Sequence, residues 1–174
     1  MSPEWLTAIG TLGTFVVIAA SAIAALMQLR HMRRGNQIAA FDNIRRTMES
    51  ADFRNALNFV WNDLPARLDQ KTLDDIREHG LRGDMDAVRL VANMAESLGL
   101  FVRSGMVDAN IACELWASVV ARSWDRIVRV TAAIRTVDEG IWINFEYMAA
   151  LSKHYIDSGA GRDYPAGVPR LPLN

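Results

Sequence analysis

The chain has 174 residues, of which 51% are hydrophobic and 22% are charged, and its formal net charge is −1. This length predicts one domain with additional segments, and the charge excludes the strongly basic composition typical of nucleic-acid-binding proteins. Cys113 is the one cysteine, which excludes an internal disulfide and a multi-cysteine metal site.

The first distinctive segment, residues 6–27, contains no charged residue. As an α-helix it would extend about 33 Å, slightly more than the roughly 30 Å hydrocarbon core of a bilayer. We therefore predict a transmembrane helix within an N-terminal anchor, residues 1–30. The alternative is a cleaved signal peptide, but that requires a positively charged start, and Glu4 is the only charged side chain before residue 6.

Three arginines follow the apolar segment: Arg30, Arg33 and Arg34. Positive charge beside a membrane span stays in the cytoplasm. The sequence thus predicts a single-pass membrane protein, with its N-terminus outside and the rest cytoplasmic. The arginines are also candidates to contact anionic lipid headgroups, unless they only set the orientation.

Small residues recur within the apolar segment at spacings that allow two helices to approach closely. Chance produces such patterns in alanine-rich segments too. The candidate packing residues are Gly10, Gly13, Thr14, Ser21 and Ala25.

Beyond the anchor we predict a membrane-proximal basic helix, residues 31–50, with an interruption at Gly35-Asn36, and a cytoplasmic helical domain, residues 51–157. Apolar side chains recur there at helical spacing, and residues 84–102 form the clearest core helix. Within this domain, four polar residues of types that typically cap helices precede the apolar segments: Asp52, Thr72, Asp108 and Asp138.

The last segment, residues 158–174, is rich in glycine and proline and is predicted to be an extended tail. Three of its residues are candidate partner contacts: Tyr164, Pro165 and Pro169. The predicted fold class is therefore all-α, with one N-terminal transmembrane helix, a cytoplasmic helical bundle and an extended Pro/Gly-rich tail.

The sequence contains none of the motifs expected for a nucleotide-binding loop, a zinc protease, an esterase or a helical di-iron site. We predict no catalytic residue, no cofactor and no metal, and do not expect a small-molecule substrate or nucleic acid.

Two groups of residues suggest binding. Arg122, Arg126 and Arg129 share one helix face and could bind phosphate, anionic lipid or an acidic partner. Alternatively, they form a solvated face or pair with Asp125, Glu96 or Glu146. The second group could stack on a ligand but more often fills a core or an interface: Trp61, Trp116, Trp124 and Trp142.

Several segments resemble an uncharacterised bacterial family of single-pass membrane proteins that carry a juxtamembrane helical domain of unknown function. The similar segments are residues 52–54, 95–103, 105–108, Trp116, 123–124 and 142–147. The resemblance implies an anchor in the bacterial inner membrane and a helical domain, but no reaction.

The function that follows is a hypothesis: a non-enzymatic, membrane-anchored accessory subunit that stabilises a larger membrane complex, of respiratory or photosynthetic type. Its partners would be other membrane-protein subunits and anionic lipids. The alternatives are a homo-oligomeric signalling or defence protein, and an enzyme that uses the three arginines with Glu96 or Glu146.

Overall fold

The computed structural model describes residues 3–161 and 167–171, and for residues 4–11 and 29–41 it describes the backbone alone. The chain divides into two compact units, Met1–Ala39 and Ala40–Asn174. Every regular element in the described residues is a helix, and no strand occurs among them. The all-α part of the predicted fold class is therefore confirmed.

The first helix, α1, runs from Pro3 to Glu49. It continues through Gly35, where the sequence suggested an interruption, because one glycine costs a helix only about 1 kcal/mol. Between residues 12 and 28, eight large apolar side chains are 57–72% exposed: Leu12, Phe15, Val16, Val17, Ile18, Ile23, Leu26 and Met27.

The predicted transmembrane helix is wrong. In the part of the chain that the structure describes, no helix is both long and apolar enough to cross a membrane.

The described residues of the second unit contain the end of α1 and six further α-helices, together with one π-helical turn and one 3₁₀ turn. The α-helices are α2 (Ala51–Asn58), α3 (Leu64–Arg67), α4 (Gln70–His79), α5 (Asp86–Arg103), α6 (Ala109–Arg135) and α7 (Ile143–Asp157). The π-turn, Phe59–Asp63, joins α2 to α3, and the 3₁₀ turn, Gly83–Met85, precedes α5.

The core lies among α5, α6 and α7, which make the most extensive contacts in this unit. Each contributes an apolar face at helical spacing, as the sequence indicated. Leu98, Ile127 and Phe145 are fully buried at its centre, and Phe53 and Leu64 extend it towards α2 and α3. Burying each such side chain contributes about 1.5–3 kcal/mol.

The helix caps follow the sequence in part. Asp108 caps α6, as predicted, by accepting from the backbone N–H of Asn110 and Ile111. Asp52 and Thr72 instead lie within the first turns of α2 and α4. These helices are capped two and three residues earlier, by Ser50 and Asp69 respectively. A cap precedes the first helical residue, and sequence spacing fixes that boundary only to within a few residues.

Of the predicted tail, Tyr164 and Pro165 lie outside the described residues. Pro169 lies in residues 167–171, which are exposed and belong to no helix or strand.

Candidate functional site

The arginine face of α6, defined as Arg122, Arg126 and Arg129, lies on the surface of the domain. The guanidinium carbon of Arg122 is 4.3 Å from the centroid of the Trp61 ring, within the range of a cation–π interaction. Trp61 is itself held by α6, because its indole N–H donates to the Ser123 hydroxyl at 3.0 Å. This stacking restricts where the charge of Arg122 can lie.

The other two members differ in their contacts. Arg129 donates to the backbone carbonyl of Leu68 at 3.2 Å, at the C-terminal end of α3. Arg126 is exposed, and no hydrogen bond or ion pair joins it to a described residue. The guanidinium groups of Arg122 and Arg129 are thus held by contacts within the domain. Arg126, which lies between them in sequence, is not held in this way.

The carboxylates expected to pair with this face have other partners. Asp125 binds Lys153 at 2.5 Å, and Glu146 binds Arg135 at 2.5 Å. Glu96 accepts from the Asn144 side chain and from the backbone N–H of Phe145. The arginine face therefore forms no salt bridge with the described part of the chain.

The four tryptophans of the second unit belong mainly to the architecture. Trp116 and Trp142 are buried, and Trp142 donates to the Asn93 side chain at 2.9 Å. Trp124 packs edge-on against Phe145, with ring centroids 5.0 Å apart. Only Trp61 combines a partly buried ring with a cation on its face.

The start of α7 is a second polar centre. Trp142 precedes the helix in a left-handed conformation (φ 54°, ψ 38°) and supplies no side-chain cap. Asp138, predicted to cap this helix, instead accepts from Gly140 within the preceding turn. The capping role belongs to Glu96 of α5, whose carboxylate accepts from Phe145 N–H and Asn144 Nδ2, each at 2.7 Å.

Arg135 secures the same turn from α6. It donates to the backbone carbonyls of Ile141 and Trp142 at 3.0 and 3.2 Å, and it binds Glu146. Gly99 of α5 packs directly against this region. A Cβ at position 99 would lie 2.6 Å from the carbonyl carbon of Asn144, which is too close for any residue other than glycine. Sequence reasoning assigned no role to Gly99 or Arg135, and it gave Glu96 the wrong partner.

An open depression of about 530 Å³ lies beside this centre. Its polar lining side chains are already engaged. Asn93 and Glu96 bind the start of α7, and Arg89 binds the Leu81 carbonyl and the Asp86 carboxylate. Among the described residues, no group of three or more histidine, cysteine or acidic side chains could hold a metal ion.

Burial raises the pKa of the Cys113 thiol. In the folded protein we expect the thiol to react with Ellman's reagent at pH 8 at least about a hundredfold more slowly than in urea, because the thiolate is the reactive form and folding hides it. As the pH rises, the thiol ionises at a lower pH in the unfolded chain than in the folded protein. The contribution of the Cys113 thiol to folding stability is therefore full below its pKa in the unfolded chain, and it is lost as the pH rises through its pKa in the folded protein. Equal rates in the two states would contradict this assignment, and Cys113→Ala gives the background rate.

The remaining predicted site residues lie on α1. Gly13 has open space around its α-carbon, and Thr14, Ser21 and Ala25 are exposed. The surroundings of Gly10 and the side chains of Arg30, Arg33 and Arg34 lie outside the description, although their backbone is helical.

Two of the segments that carried the family resemblance meet at the start of α7: residues 95–103 supply Glu96 and Gly99, and residues 142–147 supply the first turn of the helix. Neither a search of curated proteins nor a search of solved structures finds a match to this chain. A comparison with protein families matches residues 15–152 to a domain of unknown function, DUF4760. Because this match covers most of the sequence, the chain belongs to the DUF4760 family.

Proposed function

We propose that this protein is a non-enzymatic accessory subunit that stabilises a larger multi-subunit membrane complex. The observation that supports it best is the exposed apolar surface of α1 between residues 12 and 28. Contiguous exposed apolar surface of this kind marks an interaction site in a soluble or membrane-associated protein.

The apolar side chains of this segment are distributed around the helix. At 3.6 residues per turn, Phe15, Val16, Val17 and Ile18 alone point in four different directions. A helix that is apolar on every side is normally buried among other elements. We therefore expect protein partners to enclose this segment of α1, with Gly13, Thr14, Ser21 and Ala25 at its closest contacts.

The polar centre at the start of α7 supports the non-enzymatic part of the proposal. Glu96 accepts from the backbone N–H of Phe145, and Arg135 donates to the backbone carbonyl of Trp142, so that both hold helices together. Those groups thus have an architectural role, and they supply no free acid, base or nucleophile to the neighbouring depression.

We further propose that the complex lies at the cytoplasmic face of a bacterial inner membrane and belongs to a respiratory or photosynthetic assembly. Arg30, Arg33 and Arg34 would contribute by attracting anionic lipid headgroups, at about 1 kcal/mol for each charge near the surface.

The test changes the apolar surface of α1 in the full-length protein. Val16→Gln combined with Ile23→Gln, one heptad apart, should reduce recovery of partner subunits from the native host at least about a hundredfold, because each buried side chain of this size contributes about 1.5–3 kcal/mol. Glutamine keeps the helix propensity high. The readout is quantitative mass spectrometry of the protein purified in mild detergent.

Val137→Gln is the matched control, because Val137 is 76% exposed in a turn of the second unit. It should leave recovery unchanged. Equal recovery with the α1 variant and with the control would refute the proposal.

The second candidate is a homo-oligomeric signalling or defence protein. The open space around Gly13 favours it, since small residues let identical helices approach closely. In the same experiment this function predicts recovery of the protein with itself alone, and loss of that self-association in the α1 variant.

A further inference from the structure

One face of α6 separates its apolar and cationic side chains along the helix axis. Six of its exposed residues recur at spacings of three and four and define the α6 stripe: Ile111, Leu115, Ser118, Arg122, Arg126 and Arg129. Glu114 and Asp125, which are also exposed, lie beside it. Ile111 and Leu115 are 50% and 53% exposed at the N-terminal end. The C-terminal end is the arginine face.

The stripe is one side of a helix whose opposite side is fixed in the core. Trp116, Val120, Ile127 and Val130 of α6 are buried, so the helix cannot rotate to hide Ile111 and Leu115. A stripe of this length covers about 27 Å, or roughly five helical turns.

The charge of the arginine face is unbalanced within the described chain. Seven other cations of the same unit form salt bridges with carboxylates, whereas Arg54, Lys71, Arg82 and Arg103 form none with described residues. The seven are Arg45, Arg46, Arg67, Arg77, Arg89, Arg135 and Lys153. The nearest acid on α6, Asp125, is bound to Lys153 of α7. The three guanidinium groups therefore keep donors available for acceptors from outside.

Two of these groups are also preorganised. The Trp61 ring positions Arg122, and the Leu68 carbonyl positions Arg129. A guanidinium has five N–H donors, so one hydrogen bond to a carbonyl leaves the fork of Arg129 able to bind a carboxylate. Less side-chain entropy is then lost on binding.

We infer that the α6 stripe is the docking surface for an acidic amphipathic helix of a partner protein. The partner helix would place apolar side chains against Ile111 and Leu115, and carboxylates spaced three or four residues apart against the arginine face. This inference rests on the proposed function, since it names the chemistry of one partner of the accessory subunit.

A protein helix fits the stripe better than a lipid surface does. A helix lying on a membrane carries its apolar and charged residues on opposite sides, so that the apolar side can enter the bilayer. In α6 both kinds of residue occupy the same side, one after the other along the axis. A rod-like partner with the complementary order can contact both, as in helix-in-groove recognition.

The experiment places a photo-cross-linking amino acid, p-benzoylphenylalanine, at Ser118 of the full-length protein in its native host. Ser118 is exposed between the two ends of the stripe, and Glu78 on α4 is the control position, with a side chain 78% exposed. After irradiation, mass spectrometry identifies the cross-linked segment. We expect a helical segment with at least two carboxylates at spacings of three or four, obtained from position 118 and not from position 78.

The same cross-link should respond to charge. Arg126→Glu should lower its yield about tenfold or more, because a like charge replaces an opposite one at the interface. Arg54→Glu, which reverses an exposed arginine on α2, should leave the yield unchanged. Arg126 has no described hydrogen bond or ion pair, so folding does not depend on its charge.

Several results would overturn the inference: a lipid adduct, an adduct to a segment without carboxylates, an adduct to a second copy of this chain, a yield no higher than at position 78, or a yield unaffected by Arg126→Glu. If the recovery of partner subunits is nevertheless reduced by Val16→Gln with Ile23→Gln, this inference fails and the proposed function stands. If that recovery is also unchanged, both the inference and the proposed function fail.

Discussion

Replacing Gly99 by alanine is expected to destabilise the domain by about 2 kcal/mol or more, although alanine is the better helix former. In an exposed helix this substitution would stabilise by roughly 0.5–1 kcal/mol. Here the added Cβ would come within 2.6 Å of the Asn144 carbonyl carbon and closer still to its oxygen. Backbone atoms cannot rotate out of the way as a side chain can, so α5 and α7 must separate.

The measurement is urea unfolding of the full-length protein, followed by tryptophan fluorescence, which reports on the second unit through Trp124 and Trp142. Ser97→Ala is the control on the same helix, because Ser97 is exposed two residues away and the substitution also raises helix propensity. It should leave the unfolding midpoint unchanged or raise it slightly. A midpoint for Gly99→Ala at or above that of the unsubstituted protein would disprove the close approach of the two helices.

Glu96→Ala is expected to cost about 2–3 kcal/mol of unfolding free energy, since hydrogen bonds to a charged group contribute about 1.5–3 kcal/mol. The substitution removes the cap of α7 and leaves the N–H of Phe145 without its acceptor. It also removes a negative charge from a helix N-terminus, where the macrodipole favours it. Glu96→Gln keeps one acceptor oxygen and should cost less, about 1 kcal/mol.

Glu78→Ala is the matched control, because Glu78 is an exposed glutamate near the end of α4. We expect the order of midpoints to be Glu96→Ala below Glu96→Gln below Glu78→Ala. Hydrogen exchange should also show faster opening of the first turn of α7 in the two Glu96 variants. Indistinguishable midpoints for Glu96→Ala and Glu78→Ala would show that the cap contributes nothing.

The helices of residues 51–157 could be predicted because their information is local. Apolar spacing indicated α5 and α6, and Asp108 indicated where α6 begins. The start of α7 could not be predicted in this way. Its cap comes from Glu96, 49 residues earlier in the chain, and nothing in the sequence around Ile143 indicates such a partner.

The arginine face could be identified for the same local reason, since its three members lie four and three residues apart. Their contacts could not. Trp61 and Leu68 are both about sixty residues away from the arginines that they contact. Gly99 left no signal, because a missing side chain contributes nothing to a periodic pattern.

The transmembrane helix predicted for residues 6–27 is wrong, since no helix in the described part of the chain is both long and apolar enough to cross a membrane. The same segment nevertheless exposes large apolar groups such as Phe15 and Val17. That exposure, and not a membrane span, is the basis of the proposed role in a complex.

The most direct test of that role is to purify the protein from its native source in mild detergent and to determine the composition and stoichiometry of the preparation by mass spectrometry. We expect unrelated membrane subunits in a fixed ratio to this protein, and their identity would specify the complex that it stabilises. Recovery of the protein alone, or only with copies of itself, would contradict the role of an accessory subunit.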